Sequence, residues 1–141
     1  MKTISEIKYS EDIYCHPNMS LKQVAKLMRK YNRDKMPVVN IDGTRNVAGF
    51  ITCQDICHRS LGRGLNPLEL SAEDCMTTPA ITAKENMLIQ DCYNFMNQNS
   101  LEVLPVTNEY GEYTGIVSLK EIEEKQQFSH QSTYNQLQLQ C

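Results

Sequence analysis

The chain is written twice. Ile13, Asn18-Met19, Met28, Pro37-Val38, Asn40 and Gly43 return 68 positions later as Ile81, Asn86-Met87, Met96, Pro105-Val106, Asn108 and Gly111. Beyond the turn the offset falls to 66, and Gly49, Thr52, Asp55 and Ile56 are answered by Gly115, Ser118, Glu121 and Ile122. Self-similarity kept in the same order marks a duplicated structural unit. A length of 141 residues suits two small units sharing a core.

Each copy carries its own element signals. In the first, Ile13-Tyr14-Cys15 is short and extended. Ser20 is placed to cap a helix in which Leu21, Val24, Ala25, Leu27 and Met28 recur at helical spacing, with Lys22, Lys26, Arg29 and Lys30 on the other face. That helix ends near Tyr31-Asn32. Met36–Asn40 is a strand with proline near its start, Asp42-Gly43 a turn, Val47–Ile51 the return strand, and Gln54–Arg59 a short helix. The order is β-α-β-β-α. The second copy repeats it: Pro79–Thr82 extended, a helix capped by Asn86 and carrying Met87, Leu88, Ile89, Cys92, Phe95 and Met96, strands at Glu102–Thr107 and Tyr113–Val117, then a helix from Leu119 to about Gln126. The fold class is α/β of the α+β type. The expected divisions are repeat 1 over 4–61, a Gly- and Pro-broken linker over 62–72, repeat 2 over 73–126, and a flexible Gln-rich tail over 127–141.

Composition narrows the function classes. Charged residues make up 22% and the net charge is −3, so no basic field argues for nucleic acid. No apolar run approaches the roughly 20 residues that span a bilayer, and the first residues lack a secretory signal, which makes the cytoplasm the expected compartment. The six cysteines lack CxxC pairing and read as reduced thiols, with Cys53 and Cys92 inside apolar patterns. Cys53-x-x-x-Cys57-His58 lacks the second ligand pair that a structural zinc site needs. No Gly-rich phosphate loop, nucleophile elbow or paired catalytic carboxylates appear, so no enzymatic activity is expected.

Three motifs together carry a resemblance: Cys75-Met76-Thr77-Thr78-Pro79, the pair Met36–Asn40 and Leu104–Asn108, and Gly49-Phe50-Ile51-Thr52-x-x-Asp55 with its copy Gly115–Ile122. Over about residues 4 to 124 the chain resembles a tandem pair of CBS domains, the Bateman module named for cystathionine β-synthase. The resemblance implies two repeats packed through their sheets about a pseudo-twofold axis and clefts between them open to AMP, ADP, ATP, NAD or S-adenosylmethionine, with no cofactor required. It also implies a homodimer regulating another protein, and no membrane partner. By the same resemblance, Asp55 accepts the ribose hydroxyls, Thr52 faces a phosphate, Lys35 and Arg33 reach that phosphate, and the base lies near Ile13. That set forms the first site; Ser118, Glu121 and Ile81 form a second, weaker one, because Val103 stands where Lys35 does and Glu121 is one methylene longer than Asp55. The resulting expectation is a sensor of an AMP- or ATP-like adenine nucleotide.

A second reading of the same residues stays open. Thr or Ser followed three positions later by an acid is also a helix capping box, and both junctions satisfy it. If capping were their only role, and the clefts were filled by their own side chains, the module would be a ligand-free dimerisation and docking scaffold. A third reading, an enzyme, has only Cys53 beside Thr52 as a reactive group.

Overall fold

The structure, a computed structural model, describes residues 2–7 and 13–126. Among these residues five helices and five strands follow in the order α1 (Leu21–Tyr31), β1 (Lys35–Val39), β2 (Val47–Thr52), α2 (Cys53–Arg59), α3 (Ala72–Cys75), β3 (Ala83–Lys84), α4 (Ile89–Gln98), β4 (Val103–Thr107), β5 (Tyr113–Ser118) and α5 (Leu119–Gln126). Short 3₁₀ turns stand at Ile4–Glu6, Leu61–Arg63 and Pro67–Glu69. The expected C-terminal tail lies outside the described residues. The extended β/PPII preference around proline and the apolar run behind it put each proline-valine strand against its return strand.

The two hairpins are registered alike. Lys35 pairs with Thr52, Pro37 with Phe50 and Val38 with Gly49; Val103 pairs with Ser118, Pro105 with Ile116 and Val106 with Gly115. Both pairings slip at the next residue, between Val38 and Val39 and between Val106 and Thr107. A β-bulge in the same place in both copies confirms the 68- and 66-residue offsets in three dimensions. The leading strand is less regular. In the second repeat it forms at Ala83–Lys84, parallel to β4, and not at Pro79–Thr82. In the first it shrinks to a single parallel bridge, Cys15 with Val38.

Helix α1 follows its sequence closely. Ser20 Oγ accepts from the Gln23 amide, Leu21, Val24 and Met28 are buried, and Asn32 closes the helix in the left-handed conformation. Ala25 is exposed, because 100° per residue carries it to the edge of that stripe. Helix α4 departs from expectation. Its N-cap is Leu88, with no side-chain cap, so Asn86 does not cap it; Asn86 lies in the turn that the Met87 amide closes on the Lys84 carbonyl. Tyr93 joins Ile89, Cys92 and Met96 on the buried face.

The repeats exchange their leading segments. Ile4 and Ile7 are buried among Ile89, Cys92, Met96, Leu104 and Val117 of the second repeat. Ala72 and Cys75 are buried among Leu21, Val24, Met28 and Ile51 of the first. The backbone bonds are reciprocal. The Ile4 amide donates to the Met87 carbonyl and Ile89 to Lys2, while Ala72 donates to Met19 and Leu21 to Leu70. Each pair maps onto the other at the same offset of 68 (2 to 70, 19 to 87). The duplication therefore extends upstream of Ile13, into a stretch where only Thr3-x-x-Glu6 and Ser71-x-x-Asp74 betray it. The exchange gives the molecule two cores, each built from both halves of the chain.

The outer faces of the hairpins meet. Asn46 bridges Glu112, the Tyr113 amide donates to the Arg45 carbonyl, and Lys35 Nζ donates to Glu102 Oε2 at 3.1 Å. Phe50 and Thr77 exchange backbone bonds of 3.0 and 2.8 Å, which fastens the chain leaving the linker onto β2. Gly49 permits this: a Cβ there would stand 2.7 Å from the Thr77 carbonyl and 2.8 Å from Met76 Sδ.

Candidate functional site

The strand–helix junction at the end of β2 is a capping box. The Asp55 amide donates to Thr52 Oγ1 at 2.9 Å, and the Thr52 amide donates to Asp55 Oδ2 at 3.1 Å. The Cys53 amide donates to the Asp34 carbonyl at 2.8 Å. Asp55 Oδ1 lies outside the box, 3.9 Å from Arg59 Nε one turn along. The Arg59 guanidinium donates to the Met76 carbonyl at 2.7 Å and to Thr77 Oγ1 at 3.4 Å. The second junction is built the same way: the Glu121 amide donates to Ser118 Oγ at 3.0 Å, and Glu121 Oε1 accepts from both the amide and the hydroxyl of Ser118 at 3.1 Å.

Thr52 and Asp55 form part of the wall of a cleft of about 320 Å³. Phe50 continues that wall along β2. Thr77, Pro79, Ala80 and Ile81 supply a second side, and Leu101, Val103, Leu104 and Pro105 the third. The size falls at the lower end of the range for small-molecule sites, roughly 300–1,000 Å³. Among the described residues the lining is mainly apolar, Asp55 is its one charged residue, and Thr52 and Thr77 are its hydroxyl bearers.

This grouping differs from the one expected from sequence. Thr52 and Asp55 come together with Ile81, not with Ile13, Arg33 and Lys35, none of which lines this cleft. The cause is the packing of the two hairpins, which makes this cleft a joint of one repeat's junction and the other repeat's proline strand. Ile13 instead packs on the first repeat's core. Arg33 is half-buried just past the end of α1, and its amide donates to the Met28 carbonyl. Lys35 is engaged by Glu102. Under the repeat offsets, the equivalents of Phe50, Thr52, Asp55, Ile81, Leu101 and Val103 are Ile116, Ser118, Glu121, Ile13, Arg33 and Lys35. The equivalents of Thr77, Pro79 and Ala80 are positions 9, 11 and 12, which lie outside the described residues. Sequence reasoning missed Phe50, Leu101 and the Thr77–Ala80 wall; the available signal was Met76-Thr77-Thr78-Pro79, read as a motif without a location.

The thiols divide by burial. Burial pushes the Cys15 thiol up to about 12 and that of Cys92 to about 11, and burial also raises Cys75. Cys53 and Cys57 are exposed, contrary to the apolar setting expected of Cys53. Cys53 is the first residue of α2; its Sγ lies 3.4 Å from Sδ of the buried Met28 and does not line the cleft. No group of three or more His, Cys, Asp or Glu among the described residues is arranged to hold a metal ion. No helix among them is long and apolar enough to cross a membrane.

Comparison with known proteins agrees with this architecture. The CBS pair of protein MJ0100, solved with 5′-methylthioadenosine and S-adenosyl-L-methionine, superposes with a TM-score of 0.70 at 27% identity, covering 88% of this chain and 94% of that one. A conserved protein of unknown function from Pyrococcus horikoshii superposes at 0.71 with 25% identity, covering 89% and 92%. In sequence, an uncharacterized protein of Methanopyrus kandleri is 27% identical over 85% of this chain. The inosine-5′-monophosphate dehydrogenase of Mycobacterium leprae is 28% identical over 84%. The chain spans 60% of the length of the first and 21% of the second, so the likeness to the dehydrogenase covers only a part of that enzyme. The CBS domain family profile matches residues 4–62 and 72–126, and the chain belongs to the CBS domain family as a tandem pair.

Proposed function

We propose that this chain is a regulatory module that binds an adenosyl ligand in the cleft at Thr52 and Asp55 and passes the occupancy to a partner protein. The observation that carries the reading is the open cleft itself. A scaffold with self-filled clefts would place side chains there, whereas this space of about 320 Å³ is free and walled by apolar groups around one carboxylate and two hydroxyls. A carboxylate with two acceptor oxygens suits a vicinal diol, and Asp55 Oδ1 is outside the capping box. The purine rests against Phe50, Ile81 and Pro105. The complex of the MJ0100 pair with methylthioadenosine and S-adenosylmethionine, at 27% identity, supports the ligand class. Ligand in the cleft touches both repeats at once, so it biases how the hairpins meet, a difference that a partner can read. The module works as a homodimer, a reading supported by exposed Leu61, Leu65 and Leu68 on the linker.

Calorimetry and thermal shift on ligand-stripped protein with AMP, ATP, NAD, S-adenosylmethionine and methylthioadenosine test this. At least one binds, and Asp55→Ala weakens it by roughly tenfold or more, the scale of a lost hydrogen bond to a charged group. Glu121→Ala leaves most of the binding. No heat with any of these ligands removes the proposal, and equal losses in the two variants remove the assignment to Asp55.

A further inference from the structure

This inference rests on the reading of the Thr52–Asp55 cleft as an adenosyl site, and narrows it. Phosphate needs cations or free amide donors. Among the described residues, no cation stands on the walls of this cleft. Its charged lining residue is Asp55, of the sign that repels phosphate. Three of the junction amides are already engaged inside the chain: Thr52 N by Asp55 Oδ2, Cys53 N by the Asp34 carbonyl, and Asp55 N by Thr52 Oγ1. Arg59, the cation beside two of the lining residues, donates to the Met76 carbonyl and Thr77 Oγ1. Val103 lines the cleft at the position whose equivalent in the first repeat is Lys35. Lys35 itself does not line this cleft and is paired with Glu102.

We propose that this cleft selects for adenosyl ligands whose 5′ end is neutral or cationic, thioethers and sulfoniums, and turns away phosphorylated nucleotides. The specificity determinant is Val103. An aliphatic side chain there, with Leu101 beside it, accepts an alkylthio group and offers a phosphate nothing in exchange for its water. Asp55 adds attraction for a sulfonium and repulsion for a phosphate, both strongest at low ionic strength.

Displacement measures this at the cleft itself. Protein saturated with methylthioadenosine is challenged with S-adenosylmethionine, AMP and ATP, each followed by calorimetry. S-adenosylmethionine displaces methylthioadenosine; AMP and ATP at tenfold excess do not. Val103→Lys copies the first repeat's cation into the cleft, and the ratio of AMP to methylthioadenosine affinity then rises by roughly fivefold or more, the scale of one new charge pair at a partly exposed site. Val103→Met, equally long and uncharged, produces no such rise. Displacement by AMP as effective as by S-adenosylmethionine, or a Val103→Lys variant that folds with an unchanged ratio, overturns the selectivity while leaving the adenosyl site in place. If no adenosyl compound binds at all, both the selectivity and the site fall.

Discussion

The junction at Thr52–Asp55 and the one at Ser118–Glu121 are the same local structure with different surroundings. Both close a capping box with bonds of 2.9 to 3.1 Å. In the second, Glu121 Oε1 accepts from the serine hydroxyl as well as from its amide, as Asp74 Oδ2 does from Ser71. Each acid uses one oxygen for its box; in the first junction that acid, Asp55, also lines the cleft, with Oδ1 3.9 Å from Arg59 Nε. Capping tolerates either acid, because it asks only for an oxygen within reach of one amide. A ligand asks for more, and what lies beside the first box comes from the opposite repeat, Ile81 and Val103, whose equivalents by offset are Ile13 and Lys35. The copies therefore agree where the backbone is served and diverge where a ligand would be.

The largest expected effect probes the exchanged segments. Ile4 and Ala72 hold equivalent places in opposite cores, each fully buried. If the two cores were interchangeable, alanine would suit position 4 as it suits 72. The second core is packed around isoleucine, so Ile4→Ala is expected to cost about 2–4 kcal/mol in urea unfolding, with hydrogen exchange rising in α4 more than in α1. A loss under about 1 kcal/mol would mean that the leading segment is only loosely docked. Next comes Gly49→Ala, which sets a methyl against the Thr77 carbonyl and Met76. It is expected to cost about 1–3 kcal/mol and to loosen the wall that Thr77 gives the cleft, read as a lower Tm together with weaker ligand binding. The smallest effect is the sharpest comparison. Thr52→Ala and Ser118→Ala should each lose about 1 kcal/mol of stability, the usual worth of an N-cap, yet only Thr52→Ala should also weaken adenosyl binding. Matched losses of both kinds would make the two junctions functional equals.

Much of this was legible in the sequence because it is local. Proline followed by valines, Asp42-Gly43, the amphipathic stripe of α1 and the Thr-x-x-Asp junction each state a backbone preference within a few residues. Where the signal was weak, the reading slipped locally too: Asn86 lies two residues short of the position equivalent to Ser20, and Leu88, which holds that position, cannot cap by side chain. The β-α-β-β-α order and the capping chemistry needed no knowledge of what lay across the interface. Duplication at offsets of 68 and 66 also determined that the two hairpins share one register, bulge included.

What the sequence by itself determined is thus the pair of CBS repeats, their registers and their two hydroxyl–acid corners. Tertiary structure decided which residues share a cleft. Ile13, Arg33 and Lys35 belong to the same repeat as Thr52, and Lys35 pairs with it across the hairpin, yet none of the three lines the cleft. Ile81 and Val103, from the other repeat, do. The physical reason is the exchange. Segments 2–7 and 70–75 bury their aliphatics in each other's repeats, which holds the hairpins together, and a cleft between the hairpins draws its walls from both copies.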